Sequence, residues 1–141
     1  MIWTARPELD ELTRSHLDTA VAALGIEFTA VGDAELRARM PVDHRTVQPY
    51  GLLHGGASVV LAETLGSCAA SYCIDRATQV CVGVEVNANH VRGTRGGWVH
   101  GVARPAHLGR TLQVWDITID DEGGKRVCVS RLTVAVLPKR S

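Results

Sequence analysis

The chain has 141 residues, of which 45% are hydrophobic, and its 15 basic and 15 acidic side chains give a formal net charge of zero. A domain of this length buries roughly two thirds of its unfolded surface, so it needs no disulfide or metal ion to fold. The balanced charge argues against a nucleic-acid-binding protein, which requires a basic field or stripe. The four cysteines form no C-x-x-C pair, which argues against a zinc ribbon or a dithiol redox site.

The sequence carries no pattern that is typical of export or membrane insertion. Its first residues lack the basic stretch followed by an apolar one that marks a secretory signal. The most apolar stretch, residues 51–74, contains several glycines and polar groups, so it is better interpreted as a buried segment of a globular domain than as a membrane span. We therefore expect a cytoplasmic protein with reduced thiols.

The first third of the chain is predicted to form a helix and a hairpin. Apolar side chains recur at helical spacing over residues 9–24, which predicts an amphipathic helix that ends at Gly25. Apolar residues then alternate with polar or small ones over residues 26–30 and 36–40. Because Gly32 and Asp33 lie between these segments, they are predicted to be paired strands joined by a turn. A polar loop follows over residues 41–51.

The next segment is predicted to be a buried helix over about residues 56–74. It is too long for a typical strand, and apolar side chains lie on nearly every side of its helical projection. A helix that is apolar all round is a buried helix.

After this helix the apolar period changes to two, which predicts strands. One face of a long strand is predicted to consist of five small apolar residues: Val80, Val82, Val84, Val86 and Ala88. Residues 98–103 and 112–119 predict two more strands, and the apolar phase of the second changes between Val114 and Trp115, which indicates a β-bulge. A hairpin turn at residues 121–124 leads to a closing strand over residues 127–137.

The order of these elements predicts an α+β fold in a single domain over residues 1–141. The short connections between the last strands permit only antiparallel neighbours. One face of their sheet needs an apolar cover, and the only buried helix available is the one near residues 56–74. We therefore predict an antiparallel sheet wrapped around this central helix.

Glu63 is the only charged residue between positions 51 and 74. An ionised carboxylate buried without a partner is costly, so it must be paired or shifted toward its neutral form. A carboxyl group in such surroundings is suited to act as a general base or a nucleophile. The alternative is an ordinary ion pair between Glu63 and an arginine of another element or another chain.

Two glycines, Gly55 and Gly56, precede the first turn of the predicted helix. The first backbone N–H groups of a helix lack intrahelical partners, and the helix dipole favours negative charge beside them. Without side chains at these positions, a substrate carbonyl can approach the N–H groups closely. The alternative is that the glycines only make a tight turn into a crowded helix.

Gly56 and Glu63 lie two helical turns apart, which is ~10.5 Å along the axis. A glutamate side chain does not easily cover this gap and still attack a carbonyl held at the glycine amides. Either the substrate spans the gap, or the amides of one chain face Glu63 of another. We favour the second arrangement, because two apolar helices packed across a dimer interface also explain why this helix is apolar all round.

Five runs of residues together resemble the hotdog-fold acyl-CoA thioesterases over essentially the whole chain. The most specific run is QPYGLLHGGASVVLAE at residues 48–63, and the run NANHVR at residues 87–92 extends the match. The runs MIW at 1–3, MPVD at 40–43 and SRLT at 130–133 are also similar. The most similar subgroup contains the 1,4-dihydroxy-2-naphthoyl-CoA thioesterases and the enterobactin proofreading thioesterases.

The resemblance implies catalytic roles for five residues. Glu63 takes the position of the family's catalytic carboxylate, and Gly55 takes the position whose amide polarises the thioester carbonyl. His54 and Gln48 lie beside this amide. Ser67 matches a hydroxyl that orients the attacking water or the carboxylate.

The resemblance also implies substrate contacts and an assembly. His90 and Arg92 match a region that contacts coenzyme A, as does the stretch His107 to Arg110 that contains Gly109, and Gly56 adds a second amide near the substrate. Coenzyme A is part of the substrate, and no metal or other cofactor is expected. Family members form dimers that usually pair into tetramers, with active sites at subunit interfaces.

These features predict hydrolysis of an acyl-CoA thioester, with an aromatic acyl group, to free acid and CoA. Two other functions fit the same residues. A hydratase or dehydratase of acyl thioesters pairs a histidine with the carboxylate, which His54 permits. A non-catalytic acyl-CoA-binding protein is the third interpretation, although it would not require an acid at position 63.

Overall fold

The computed structural model describes residues 1–140 and has six β-strands in one antiparallel sheet of order β1-β2-β4-β5-β6-β3. Its longest helix, α3, packs on one face of this sheet, as predicted. The elements are α1 (Leu9–Ser15), α2 (Ala20–Ala23), β1 (Glu27–Val31), β2 (Leu36–Pro41), α3 (Gly55–Ser71), β3 (Gln79–His90), β4 (Trp98–Leu108), β5 (Leu112–Asp120) and β6 (Arg126–Pro138). The predicted fold class is therefore confirmed.

Helix α3 packs closely on the sheet through a face of small residues and two leucines. The buried members of this face are Ala57, Ser58, Leu61, Ala62, Leu65, Gly66, Ala69 and Ala70. A Cβ added at Gly66 would lie 2.6 Å from Cδ2 of Leu132 in β6. The opposite side of the helix is only half-buried, so the prediction of a helix buried all round is wrong for this chain alone. The helix also ends at Ser71 rather than at residue 74.

The predicted N-terminal helix is interrupted between Ser15 and Ala20. Asp18 takes a left-handed conformation with φ 57°, which aspartate tolerates better than most other residues. Three of the four residues at the interruption, His16, Asp18 and Thr19, are weak helix formers, so local propensity opposes it little. Gly25, with φ 71°, terminates the second helical segment as predicted.

A β-bulge divides the predicted apolar face of β3. The pairing of β3 with β6 shifts register between Gly83 and Glu85, so Val84 is an extra residue. Before the bulge Val80 and Val82 point away from the core, whereas Val86 after it packs against the core. The prediction of one continuous face was therefore wrong, because an extra residue inverts the alternation.

The predicted bulge near Val114 lies in the neighbouring strand. The extra residue is Ala106 in β4, between Pro105 and His107, opposite Val114 and Trp115 of β5. Strand β5 itself alternates regularly, because Gln113 is buried beside Trp115. Its Oε1 accepts a hydrogen bond from Nε1 of Trp115 at 2.9 Å. Because the buried residue at position 113 is polar, the apolar alternation of β5 only looks as if it changes phase in the sequence.

The sheet ends in a long unpaired edge. Strand β3 has a hydrogen-bonded neighbour on one side only. Three valines on it, Val80, Val82 and Val84, are 37%, 47% and 62% exposed. An apolar, unpaired edge of this length is a surface that favours pairing with another strand.

Among residues 1–140, no helix is long and apolar enough to cross a membrane.

We expect Trp115→Phe to lower the free energy of unfolding by about 1–3 kcal/mol, because it leaves Oε1 of the buried Gln113 without a donor. Adding Gln113→Leu removes the unpaired amide and is expected to restore part of the loss. Chemical denaturation measures the free energy of unfolding of both variants. The control is Trp98→Phe, because Trp98 is a half-buried tryptophan. An equal or greater loss in the double variant would contradict this account.

Candidate active site at the central helix

The N-terminus of α3 is held by hydrogen bonds on both sides of His54. The backbone N–H of His54 donates to the carbonyl oxygen of Thr46 at 2.8 Å. Its ring atom Nδ1 accepts a hydrogen bond from the backbone N–H of Gly56 at 2.8 Å, so the side chain caps the helix. The family resemblance implies a place for His54 beside the Gly55 amide, and the structure adds this capping role, which fixes the first turn.

The N–H group of Gly55 remains unpaired at the first position of the helix. No acceptor for it lies among residues 1–140, whereas the next N–H is taken by His54. Gly55 borders a cleft of about 340 Å³. The other residues around this cleft are Gln48, Leu52, Leu53, Ser58, His90, Val91, Arg92, Gly93 and Val127. A free N–H at a helix N-terminus is suited to stabilise negative charge on a bound oxygen.

Gln48 and His90 both reach this cleft with defined orientations. Oε1 of Gln48 accepts a hydrogen bond from the backbone N–H of Tyr50, which leaves the NH2 group of Gln48 as a donor. A Cβ at Gly55 would lie 2.8 Å from Nε2 of His90. A larger residue than glycine would therefore displace His90 from the amide. Arg92 is exposed beside them and supplies positive charge.

Glu63 lies in a second cleft, of about 320 Å³, on the half-buried side of α3. Its other lining residues are His16, Val60, Thr64, Ser67 and Cys68. Within residues 1–140, no basic nitrogen lies within ion-pair distance of the Glu63 carboxylate. The alternative in which Glu63 pairs with an arginine of the same chain therefore finds no support in the structure.

The two clefts have no lining residue in common among the described residues. The structure thus brings Gln48, Gly55, His90 and Arg92 together, and separately brings Glu63 and Ser67 together. This separation agrees with the distance of two helical turns between the glycines and the acid. Within one chain, the amide donor and the carboxylate do not face the same space.

His16 belongs to the Glu63 cleft, although the sequence analysis did not single it out. Its Nδ1 lies 2.7 Å from the carbonyl oxygen of Leu12, which only accepts, so Nδ1 carries the proton. Its Nε2 lies 3.5 Å from Sγ of Cys68. Burial raises the pKa of the Cys68 thiol to about 12, so this group remains neutral. The interrupted N-terminal helix places His16 here, which periodicity did not predict.

The stretch from His107 to Arg110 spans the end of β4 and the start of the turn to β5. The N–H of Gly109 donates to the carbonyl oxygen of Leu112 at 2.8 Å, and a Cβ at Gly109 would lie 2.6 Å from Nε2 of His107. Arg110 borders a third cleft, which is also lined by Thr78, just before β3, and by residues at the end of β6. No residue around this cleft borders either of the first two within residues 1–140.

The capping role of His54 predicts a stability effect that is separate from chemistry. We expect His54→Ala to lower the free energy of unfolding by about 1 kcal/mol, because the N–H of Gly56 loses its acceptor. His54→Asn keeps an acceptor at the cap and is expected to retain most of this stability. Urea denaturation measures both, with His44→Ala at an exposed position as the control. Equal losses for alanine and asparagine would contradict the capping role.

Comparison with known proteins identifies the family. Residues 50–128 match the thioesterase superfamily. The chain is 53% identical to the proofreading thioesterase EntH of Cronobacter turicensis over 97% of this chain and 99% of that protein. It is also 53% identical to 1,4-dihydroxy-2-naphthoyl-CoA hydrolase of Escherichia coli K12 over 97% of this chain and 100% of that protein.

A solved structure has the same fold throughout. The crystal structure of a mutant of thioesterase PA1618 from Pseudomonas aeruginosa superimposes with a TM-score of 0.97 at 53% identity, covering 99% of this chain and 100% of that one. Thioesterase HI1161 of Haemophilus influenzae gives a TM-score of 0.95 at 48% identity, covering 98% of this chain and 96% of that one. The chain therefore belongs to the thioesterase superfamily and is a thioester hydrolase with the hotdog fold.

Proposed function

We propose that this protein hydrolyses acyl-CoA thioesters with an aromatic acyl group to the free acid and CoA, with Glu63 as nucleophile or general base and the Gly55 amide as oxyanion donor. The observation that carries the proposal is the unpaired N–H of Gly55 on a cleft, on the same helix as an unpaired carboxylate. We place this activity in the cytoplasm and assign it no metal or further cofactor.

The chemistry follows from these two groups. The carbonyl oxygen of the thioester accepts a hydrogen bond from Gly55, and negative charge builds on it as the acyl carbon is attacked. In one route Glu63 takes a proton from water, whose oxygen forms the new bond to the acyl carbon. In the other route the Glu63 carboxylate attacks first, and water then cleaves the resulting anhydride. In both routes the C–S bond breaks and the CoA thiolate receives a proton.

A site shared between two subunits supplies both groups to one carbonyl. Within one chain the Gly55 cleft and the Glu63 cleft are separate. A second copy that pairs along the exposed edge of β3 and covers the half-buried side of α3 would place the Gly55 amide of one chain near Glu63 of the other. We propose such a dimer, paired further into a homotetramer.

The substrate assignment rests on charge and on the relatives. Arg92 beside the Gly55 cleft is suited to bind phosphate groups of coenzyme A, with His90 next to it. His107, Gly109 and Arg110 are proposed to bind the coenzyme A portion of the substrate from a neighbouring subunit, because none of them lines this cleft in its own chain. One relative is named for hydrolysis of an aromatic acyl-CoA, which supports an aromatic acyl group here.

Glu63→Gln tests the carboxylate directly. We expect kcat for benzoyl-CoA to fall by between about 10²- and 10⁴-fold, because the amide neither attacks carbon nor accepts a proton from water. Release of free CoA, followed with a thiol reagent, measures the rate. Glu122→Gln, in an exposed turn, is the matched control and is expected to retain activity. Unchanged turnover by Glu63→Gln, with normal mass in solution, would contradict the assignment.

Mixing two inactive variants tests the shared site. Gly55→Pro removes the N–H at the first helical position, where proline is tolerated, and the extended backbone of His54 (φ −68°, ψ 128°) accepts a following proline. Because proline also places a Cβ 2.8 Å from Nε2 of His90, Gly55→Ala, which adds this Cβ but keeps the N–H, is the control. Relative to Gly55→Ala, loss of the donor in Gly55→Pro is expected to cost about 10²- to 10³-fold in kcat. Refolding Gly55→Pro together with Glu63→Gln is expected to recover about a quarter of wild-type activity, because half of randomly paired dimers contain one intact site.

Light scattering of the same samples gives the assembly state. Recovery in the mixture, with neither variant active alone, supports a site built from two chains. An active monomer, or a mixture no more active than its components, would contradict it.

A further inference from the structure

The β-bulge in β3 brings Gly83 against the carboxylate of Glu63. Val84 is the extra residue of the bulge, and the strand resumes its pairing at Glu85 opposite Thr133. A Cβ built on Gly83 would lie 2.9 Å from Oε1 of Glu63 and 4.0 Å from its Cδ. Real Cβ atoms do not approach other atoms at 2.9 Å, so a side chain at position 83 and the present position of this carboxylate are incompatible.

Among the described residues, the contact with Glu63 is the only steric reason for a glycine at position 83. Apart from its chain neighbours, no other heavy atom within residues 1–140 lies within 4 Å of a Cβ built there. Gly83 is also absent from the glycines with positive φ, so its backbone conformation is open to any residue. Neither the backbone nor the core packing therefore requires glycine at this point of the strand.

We propose that Gly83 is a positioning residue for the reaction, because its missing side chain leaves the space that the Glu63 carboxylate occupies. This inference rests on the proposed role of Glu63. A methyl group at position 83 rotates the flexible glutamate side chain to a new position rather than disturbing the fold. Since the carboxylate must lie in line with the acyl carbon or with its attacking water, a displacement of about 1 Å costs roughly 10²-fold in rate.

Gly83→Ala is expected to lower kcat for benzoyl-CoA by about 10²-fold, with KM changed less than threefold, because the added methyl group contacts Glu63 and not the substrate. The midpoint of thermal unfolding is expected to stay the same or rise, since alanine in a strand loses less backbone entropy on folding than glycine. Gly96→Ala is the matched control, because nothing lies within 4 Å of a Cβ at Gly96.

A double-mutant cycle separates positioning from general damage. Glu63→Asp withdraws the carboxylate by one methylene, so it no longer reaches the space beside residue 83. In the Glu63→Asp background, Gly83→Ala is therefore expected to reduce kcat less than threefold, instead of about 10²-fold. Multiplicative losses in the double variant, or a wild-type kcat for Gly83→Ala, would overturn the inference.

The remaining outcomes are also decisive. A Gly83→Ala protein with a lowered unfolding midpoint or an altered mass in solution would overturn the inference, because glycine would then serve folding or assembly. If Glu63→Gln abolishes hydrolysis and Gly83→Ala does not reduce it, the proposed function stands and only the positioning role fails. If the wild-type protein releases no CoA from benzoyl-CoA or other acyl-CoA thioesters, both proposals fail together.

Discussion

The close approach of α3 to the sheet is the constraint on which the site depends. Small side chains on the buried face of the helix let its axis lie near the strands, and Leu132 fills the space left by Gly66. A helix held at this distance has little freedom to rotate or slide, because interiors are packed without voids. Its first N–H group and the backbone of Glu63 therefore keep fixed positions relative to the surrounding strands.

This constraint also keeps the two candidate groups of the helix apart within one chain. The side that packs on the sheet is saturated with small apolar residues, so Glu63 and Ser67 lie on the other side, which remains half-buried. The free amide of Gly55 is two turns away and opens on a different cleft. A rigid helix cannot shorten this separation. In the proposed dimer, the amide of one chain and the carboxylate of the other reach one carbonyl.

Much of this arrangement was predictable from the sequence, because local patterns specify the elements. The apolar run of residues 56–74 predicted the helix, and the isolated charge of Glu63 and the paired glycines before it marked two candidate groups on this helix without coordinates. The patterns failed where a pairing partner decides the outcome. The bulge at Val84 depends on how β3 pairs with β6, and the buried amide of Gln113 depends on its hydrogen bond to Trp115. Neither is encoded in the alternation of a single strand.

The bulge in β3 shows how such a pairing detail reaches the surroundings of Glu63. An unbroken alternation would have placed the even-numbered residues of β3 on one face throughout, with no change at residue 84. The extra residue instead leaves Val80 and Val82 on the outer side, where a second strand is able to cover them, and lets Val86 pack on the core. Gly83 sits where the phase changes, against the acid of α3. One inserted residue thus determines which side chains are exposed at the edge, which pack on the core, and which residue lies beside the Glu63 carboxylate.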